Sequence, residues 1–557
     1  MSLVSATREG VRIPAVLLLV WATMSVLGAG APGWIDMNEN EGYTARHECS
    51  FVQAGDRFYL FGGRENARTL DTYDYASDSW TTSAMAPIEF NHFQATEYQG
   101  LIWIIGAFKT NSFPNESPAE DIWVFDPARD EWIQGPSIPA GRRRGSTGLV
   151  VHDDKFYVVA GNTMGHNGGY VPWFDEYDPQ TGDWTALTDA PGARDHFHAA
   201  ASGDKLYAVG GRLSGGPDGT FAPLIAEVDV YDFTTASWSR LAATSNLPTP
   251  RAASAVAVFG GEILVAGGEG NGQAYDTVEG FDPSSNIWSP RASLNFARHG
   301  TQAIVSGQGV YVTAGSPSQG GGNQRNMEVY NADAPSGVPS IAGMLSAPAG
   351  TLISATSPST IVLTHDSGNE GVFVNDVTLT GVDAADFTIV SDVVDPFLIR
   401  TSGSRGIVVE YSGASEGASA SLDVTYGNID FLTVSLTGTQ NSGVPGRSSA
   451  LLVDKVGTDL DLLWDGDCGG GDRFGIYRGD LALGYNSLAI DTCDVVGNSA
   501  TISIGPADGE FFLVVPSVGS FEGSYGHGAG CAERMAALVG CHPPTLPDPC
   551  AAGCGGR

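Results

Sequence analysis

Along the first three hundred residues, apolar and polar positions alternate over short runs. Six of these runs share one form, a β-branched and aromatic stretch closing on small residues. They are Phe58 to Gly63, Ile102 to Ala107, Phe156 to Gly161, Leu206 to Gly211, Ile263 to Gly268 and Val310 to Gly315. Runs this short, rich in Val, Ile, Tyr and Phe and bounded by glycine, predict buried strands rather than helices. A second pattern lies between them: an aromatic, usually followed by Asp, then a Trp one hairpin later. It occurs at Tyr73/Trp80, Phe125/Trp132, Tyr177/Trp184, Tyr231/Trp238 and Phe281/Trp288.

These marks recur roughly every fifty residues, the period of an architecture whose small sheets bury their faces only by stacking on one another. Each unit reads as a four-stranded antiparallel meander, a to d. The b-to-c and d-to-a loops then share one face, and the a-to-b and c-to-d hairpins share the other. The sixth unit lacks a Trp after Met327-Glu328-Val329-Tyr330. Gly33-Trp34 precedes Arg46 by the spacing found in the complete units. The segment from about residue 33 is therefore expected to supply the missing outer strand and close a ring of six blades, leaving no open edge. The longer insertions, Phe108 to Asp121, Asn162 to Pro172 and Arg212 to Ile225, all fall in b-to-c loops and point to that face for binding.

The double glycine with spaced Tyr and Trp resembles the kelch repeat, over roughly residues 34 to 335. The resemblance implies a six-bladed β-propeller at 31–337 and is nearly silent on activity, because propellers host unrelated functions. After Asn331-Ala332-Asp333-Ala334-Pro335 the period stops. Residues 338–440 then read as a seven-strand sandwich. That stretch resembles the immunoglobulin-like modules found beside bacterial surface anchors and in the ASPM, SPD-2 and hydin family, where the role is spacer or protein contact. Beyond the linker Asn441 to Gly446, residues 441–542 carry Leu460 to Trp464, Phe474 to Gly479 and Phe511 to Val515. This part is similar to secreted bacterial fibronectin type III modules, with a buried Trp and a facing Tyr. A Cys, Pro and Gly rich tail, 543–557, follows. The expected fold class is all-β: a six-bladed kelch β-propeller followed by two β-sandwich domains.

Charge narrows the partners. The chain has 63 acidic against 28 basic residues, a net charge of −35. Its lysines are Lys109, Lys155, Lys205 and Lys455. Nucleic acid and anionic membrane surfaces would be repelled. Arg8 and Arg12, the apolar run Ile13 to Leu27 and the small residues Gly28 to Ala31 have the order of a secretory signal, assigned to residues 1–30. An uncleaved anchor is the rival reading, since the run is about as long as a membrane span. Export suits the cysteines. Cys468, Cys493, Cys531, Cys541, Cys550 and Cys554 read as three disulfides, with Cys468–Cys493 and Cys531–Cys541 as the expected pairs. Cys49 remains as a buried free thiol.

Candidate chemistry gathers where the inner strands begin: Arg46-His47, Asn91-His92, Arg143-Arg144, Arg194-Asp195-His196, Arg251 and Arg298-His299. The b-strand ends add Arg64, Lys109, Arg212 and Glu269. Ring geometry brings these toward the axis, where a positive mouth would attract a carboxylate or other anion. The alternative is that the arginines brace blades through carbonyls and acids. Asp465 to Asp472 offers three carboxylates on a Gly-rich loop but departs from a calcium-loop order and reads equally as a tied turn. No cofactor and no metal are expected. Galactose oxidase also joins a kelch propeller to a sandwich, yet its copper chemistry needs a Tyr-His pair that does not occur here. Bacterial N-acetylneuraminate epimerase, a secreted six-bladed kelch enzyme, supplies the alternative of a carbohydrate-active enzyme with Arg, His and Glu at the mouth. The reading adopted is a secreted or cell-surface, non-catalytic, monomeric binding protein whose partner is an extracellular protein, a carbohydrate or a small anion.

Overall fold

A computed structural model describes residues 33–39, 42–331, 334–391, 396–415 and 417–439, and in the C-terminal part the strands between 451 and 522. The expected leader at 1–30, the Asp465 to Asp472 loop, the tail 543–557 and Cys468, Cys531, Cys541, Cys550 and Cys554 lie outside the described residues. Cys493 falls in the strand Ala489–Val496, its side chain outside them. Cys49 is a buried free thiol.

Six four-stranded antiparallel sheets form the propeller. Blade 1 runs Cys49–Ala54, Arg57–Gly62, Leu70–Asp74 and Ser79–Thr82. Blades 2 to 5 repeat the order, with inner strands Ala95–Tyr98, Gly148–His152, Ala199–Ala201 and Ala255–Phe259. Blade 6 takes Ala303–Ser306, Gly309–Val312 and Asn326–Tyr330, and its outer strand is Trp34–Glu39 from the other end of the propeller.

The aromatic/Trp pattern is the cross-strand register of strands c and d. Tyr73 faces Trp80, Phe125 faces Trp132, Tyr177 faces Trp184, Tyr231 faces Trp238 and Phe281 faces Trp288. The sixth pair is Tyr330 with Trp34. Ring centroids in the first and last pairs lie 5.0 and 5.4 Å apart. Indole N–H groups fasten four blades to the one before: Trp132 to Ala84 O, Trp238 to Thr188 O, Trp288 to Ser245 O and Trp34 to Ala292 O at 3.0 Å. A buried indole usually finds such an acceptor, but the Trp80 and Trp184 nitrogens are buried without one. The Asp after each aromatic holds its hairpin, as Asp126 does by accepting from Arg129 N at 2.9 Å.

Two further sheets follow the propeller. One orders Met344–Ser346, Ser359–Ser367, Ser404–Tyr411 and Phe387–Ile389. The other orders Gly350–Ser354, Asp430–Thr439, Ser419–Tyr426, Val372–Thr380 and Phe397–Ile399. Alternate residues of both enclose one core that includes Ile361, Ile407, Phe397 and Leu422. The seven strands expected are thus corrected to nine. Three of the nine, at Met344, Gly350 and Phe397, span only three to five residues, too few to display a clear alternation. The C-terminal part holds a three-stranded and a four-stranded sheet, with Leu462, Phe474, Ile476 and Tyr477 buried. The Trp464 side chain lies outside the described residues.

These two sheets dock on the hairpin face of blades 2 and 3. Arg129, in the blade 2 c-to-d hairpin, pairs with Asp430 at 2.8 Å and donates to Gly343 O. Asp154 of a blade 3 hairpin pairs with Arg400, and Leu398 N donates to Pro179 O at 2.6 Å. Phe373 and Leu398 join the Trp103, Phe156 and Tyr98 cluster between blades 2 and 3. The loop face is left without this cover. Among the described residues no helix is long and apolar enough to cross a membrane.

Candidate functional site

Each inner strand enters the sheet through one local device. Two residues past the recurring arginine position the backbone turns left-handed, at Glu48, His92, Ser146, His196, Ala253 and Gly300, with φ from 49° to 69°. These residues are chained by backbone bonds: His92 N donates to Glu48 O, Ser146 N to His92 O, Ala253 N to His196 O and Gly300 N to Ala253 O. A left-handed turn at a non-glycine residue persists only where its surroundings enforce it, and this collar does so. All six line a small axial cavity together with Phe93, Phe197 and His198. The cavity is about 20 Å³, room for one water.

The arginines one turn earlier do not face that cavity. Arg46, Arg144, Arg194, Arg251 and Arg298 are at most 2% exposed and point into their own blades. Each donates to the carbonyl sixteen residues on: Gly62, Ala160, Gly210, Gly267 and Ala314. Each also meets an acid of strand c: Asp71, Asp175, Asp229, Glu279 and Glu328. Burial lowers the Arg298 guanidinium while the Glu328 carboxylate opposes the shift, and burial brings Arg144 to about 10. The expected frame of Arg46, Arg143, Arg194, Arg251 and Arg298 around an anion is thereby corrected to a set of internal braces. In blade 3 the brace is Arg144, while Arg143 is half-buried and donates to Ile138 O. In blade 2 Phe90 replaces the arginine and packs on Trp132 at 5.5 Å. Lys109 pairs with Glu120 at the periphery.

What converges at the loop-face end of the axis is a second set. Gly211 makes it possible: at φ +96° it brings the b-strand end so close that a Cβ would lie 2.8 Å from Asp195 O. Arg212 therefore sits beside Asp195, fully buried, held by Glu269 and by Ser214 Oγ at 2.9 Å. Ser214 donates in turn to Asp195, which also takes the His196 Nδ1 proton at 2.5 Å. Arg64 pairs with Glu116, reaches Asn111 at 2.9 Å and contacts His92 Nε2 at 3.4 Å. His166 sits between the two arginines, its Nδ1 3.1 Å from Glu116 and its Nε2 3.1 Å from Arg212. On the other side Glu48 lies 3.5 Å from both His92 and His299, and His299 lies 3.3 Å from Glu269. His47 is turned to Glu65 at 3.1 Å.

Of the residues expected at the mouth, the structure gathers His92, His196, Arg64, Arg212, Glu269 and His299, with His47 on the rim. Glu116, His166 and Ser214 were missed. All three sit in b-to-c insertions, where the repeat imposes no register, so only the choice of loop face hinted at them. Burial and nearby guanidiniums hold the His92 and His196 imidazoles well below their usual range, so both are neutral. Burial alone would lower His299, but Glu269 and Glu48 outweigh it and raise it. Burial works against ionised Glu48 and Glu116, yet neighbouring histidines and arginines hold both low, Glu116 at about 2. Asp195 is raised by burial, which exceeds the pull of Arg212. Every arginine here already has a carboxylate, and no volume is left for an organic substrate.

The covering loops come from blades 2 to 6. Phe113 packs 4.9 Å from His166 and is 56% exposed, and Met164 beside it is 54% exposed. Asn167 ties these two loops through Pro114 O and Asn115. Farther round, Phe221, Asp218, Asn271 and Gln319 line an open cleft of about 680 Å³.

A family model described as the KLHDC2/KLHL20/DRC7 Kelch-repeats domain matches residues 34–211 and 136–315, together half of the chain. The Kelch-like protein terF of Aspergillus terreus is 30% identical over 276 residues, 47% of this chain and 59% of that one. Human Kelch-like protein 23 is 26% identical over 286 residues, covering 49% and 46%. Alpha-scruin of Limulus polyphemus is 25% identical over 197 residues, covering 34% and 21%. The chain spans 59% or less of the length of these relatives. A solved structure described as that of YjhT aligns with a TM-score of 0.45 at 16% identity, covering 52% of this chain and 95% of that one.

Proposed function

This chain belongs to the kelch-repeat family, and on that premise we propose that it is a non-catalytic binding protein whose propeller engages an extracellular protein or glycan through its loop face. The observation that carries the reading is the division of labour between faces. The two sheets that follow the propeller cover hairpins of blades 2 and 3, while the inserted b-to-c loops present Phe113, Met164 and the cleft beside Phe221 to solvent. Exposed aromatic and Met side chains ringed by polar groups are what interfaces are built on. Aromatic rings beside Asp, Asn and Gln suit sugar hydroxyls equally. The axial groups, mutually paired and without substrate volume, support a scaffold over the carbohydrate-active alternative. We further read the chain as exported by residues 1–30, with the immunoglobulin-like and fibronectin-like modules as spacers.

The test is a screen of extracellular proteins and glycans against wild type, Phe113→Asp/Met164→Asp on the loop face, and Ile287→Ser on an outer strand. Binding retained by Ile287→Ser and reduced at least tenfold in the loop-face variant, with melting temperatures unchanged, is the expected result. A ligand bound equally by all three proteins would place the site elsewhere.

A further inference from the structure

We propose that His92, His166 and His196 form a binding site for one divalent first-row transition ion of the Zn²⁺ type, a role beyond the loop-face binding described above. Three separate segments bring the rings together: the start of the blade 2 inner strand, a b-to-c loop of blade 3, and the start of the blade 4 inner strand. Their centroids lie 4.6, 4.8 and 5.1 Å apart, and one ring nitrogen of each lies within 4.8 Å of the others. Five of the ten histidines in the chain cluster at this end of the axis.

The arrangement of protons suits a metal. Each Nδ1 has its own acceptor: Asn91 Oδ1 at 2.7 Å, Glu116 Oε1 at 3.1 Å and Asp195 Oδ1 at 2.5 Å. That places the N–H on Nδ1 and the lone pair on Nε2 in all three rings, which is how metal-ligating histidines are held by outer carboxylates and amides. Nε2 of His196 is buried without any partner. The His166 Nε2 meets the Arg212 guanidinium at 3.1 Å, and the His92 Nε2 lies 3.4 Å from Arg64 and 3.5 Å from the Glu48 carboxylate. Both arginines are anchored elsewhere, Arg212 on Glu269 and Ser214, Arg64 on Glu116 and Asn111. Their contacts to imidazole can yield without either losing its carboxylate.

Charge and volume agree. Four carboxylates, Glu48, Glu116, Asp195 and Glu269, are at most 7% exposed and face two guanidiniums and His299, whose affinity for a proton Glu269 and Glu48 raise. A buried excess of negative charge is costly unless a cation offsets it. The 20 Å³ cavity next to the cluster, lined by Glu48, His92 and His196 but not by His166, has room for an ion or a water and no larger ligand. Imidazoles suit Zn²⁺ and its neighbours rather than Mg²⁺ or Ca²⁺. The one cysteine lining the cavity, Cys49, has its thiol pushed up to about 12 by burial and offers no thiolate. Glu48, 3.5 Å from His92, is placed to share the fourth position with water.

The full-length protein, stripped with a chelator, is titrated with Zn²⁺ alone. Metal content is read by mass spectrometry after desalting, and affinity by calorimetry. Wild type should retain one equivalent more than His166→Gln, whose substitution lies in a short loop turn. Comparing the two proteins removes any ion held by the C-terminal cysteines. Asp195→Asn should weaken this equivalent tenfold to a hundredfold, the usual effect of losing an outer partner. Equal metal content in wild type and His166→Gln overturns the site. So does loss in His299→Gln with retention in His166→Gln, which would move the ion to His47, Glu48 and His299. Should His166→Gln misfold, hydrogen exchange on wild type decides. Zn²⁺ should slow exchange at residues 91–93, 165–167 and 195–197 by at least tenfold, and unchanged exchange there overturns the proposal.

Discussion

Arg298 shows how a single residue can be visible in sequence while its role is not. The recurrence of arginine before each inner strand is plain, and so is its place near the axis. Its direction depends on two things a sequence pattern does not display: the carbonyl that strand b brings back sixteen residues on, and an acid on strand c at a variable distance. The brace therefore read equally well as an anion site. Arg298 and Glu328 are at most 1% exposed, so removing one partner leaves the other charged and buried. Arg298→Met should cost about 3–5 kcal/mol in denaturant unfolding of the propeller. Adding Glu328→Leu to that variant should recover part of the loss. If Arg298→Met unfolds at the wild-type midpoint, the guanidinium is not a brace.

At the scale of elements, closure was readable because the aromatic/Trp pair is a register mark, and the sixth unit lacked only its Trp. Trp34 is 8% exposed, packs on Tyr330 in a tilted ring pair and donates to Ala292 O. Trp34→Ala should destabilise the propeller by about 3–5 kcal/mol, the range for deleting a buried aromatic. A melting temperature within error of wild type would contradict the closure. The docking of the two sheets that follow the propeller was not readable, since no periodicity links Arg129 to Asp430. Glu370 sits fully buried in that interface and accepts from Ala128 N. Burial, with the nearby Asp126 charge second, pushes its carboxyl from 4.5 up to about 8. A folded-state value above the unfolded one stabilises fully below about pH 4.5, and the contribution is lost as pH rises through about 8. Wild type should lose stability between pH 5 and pH 8.5 relative to Glu370→Gln. Parallel pH profiles of the two proteins would show that Glu370 is not the titrating group.

For the whole molecule, the meander fixes which loops share a face, so the loop face was legible before any coordinates. The collar, the histidine cluster and the covering loops were not, because loop residues such as His166 and Glu116 meet only in space. The molecule that results has hairpins of one face covered by the two sheets that follow the propeller and an axial cavity with room for no more than a water or an ion, and in the function proposed above it binds through the loop face that remains. Hydrogen exchange of the full-length protein with and without its bound partner tests this most directly. Protection should appear in the loops at 108–121, 162–173 and 212–225 and be absent from the hairpins around Gln99, Arg129 and Asp154. Protection confined to the hairpins or to the two sheets that cover them, with those loops unchanged, would contradict the account.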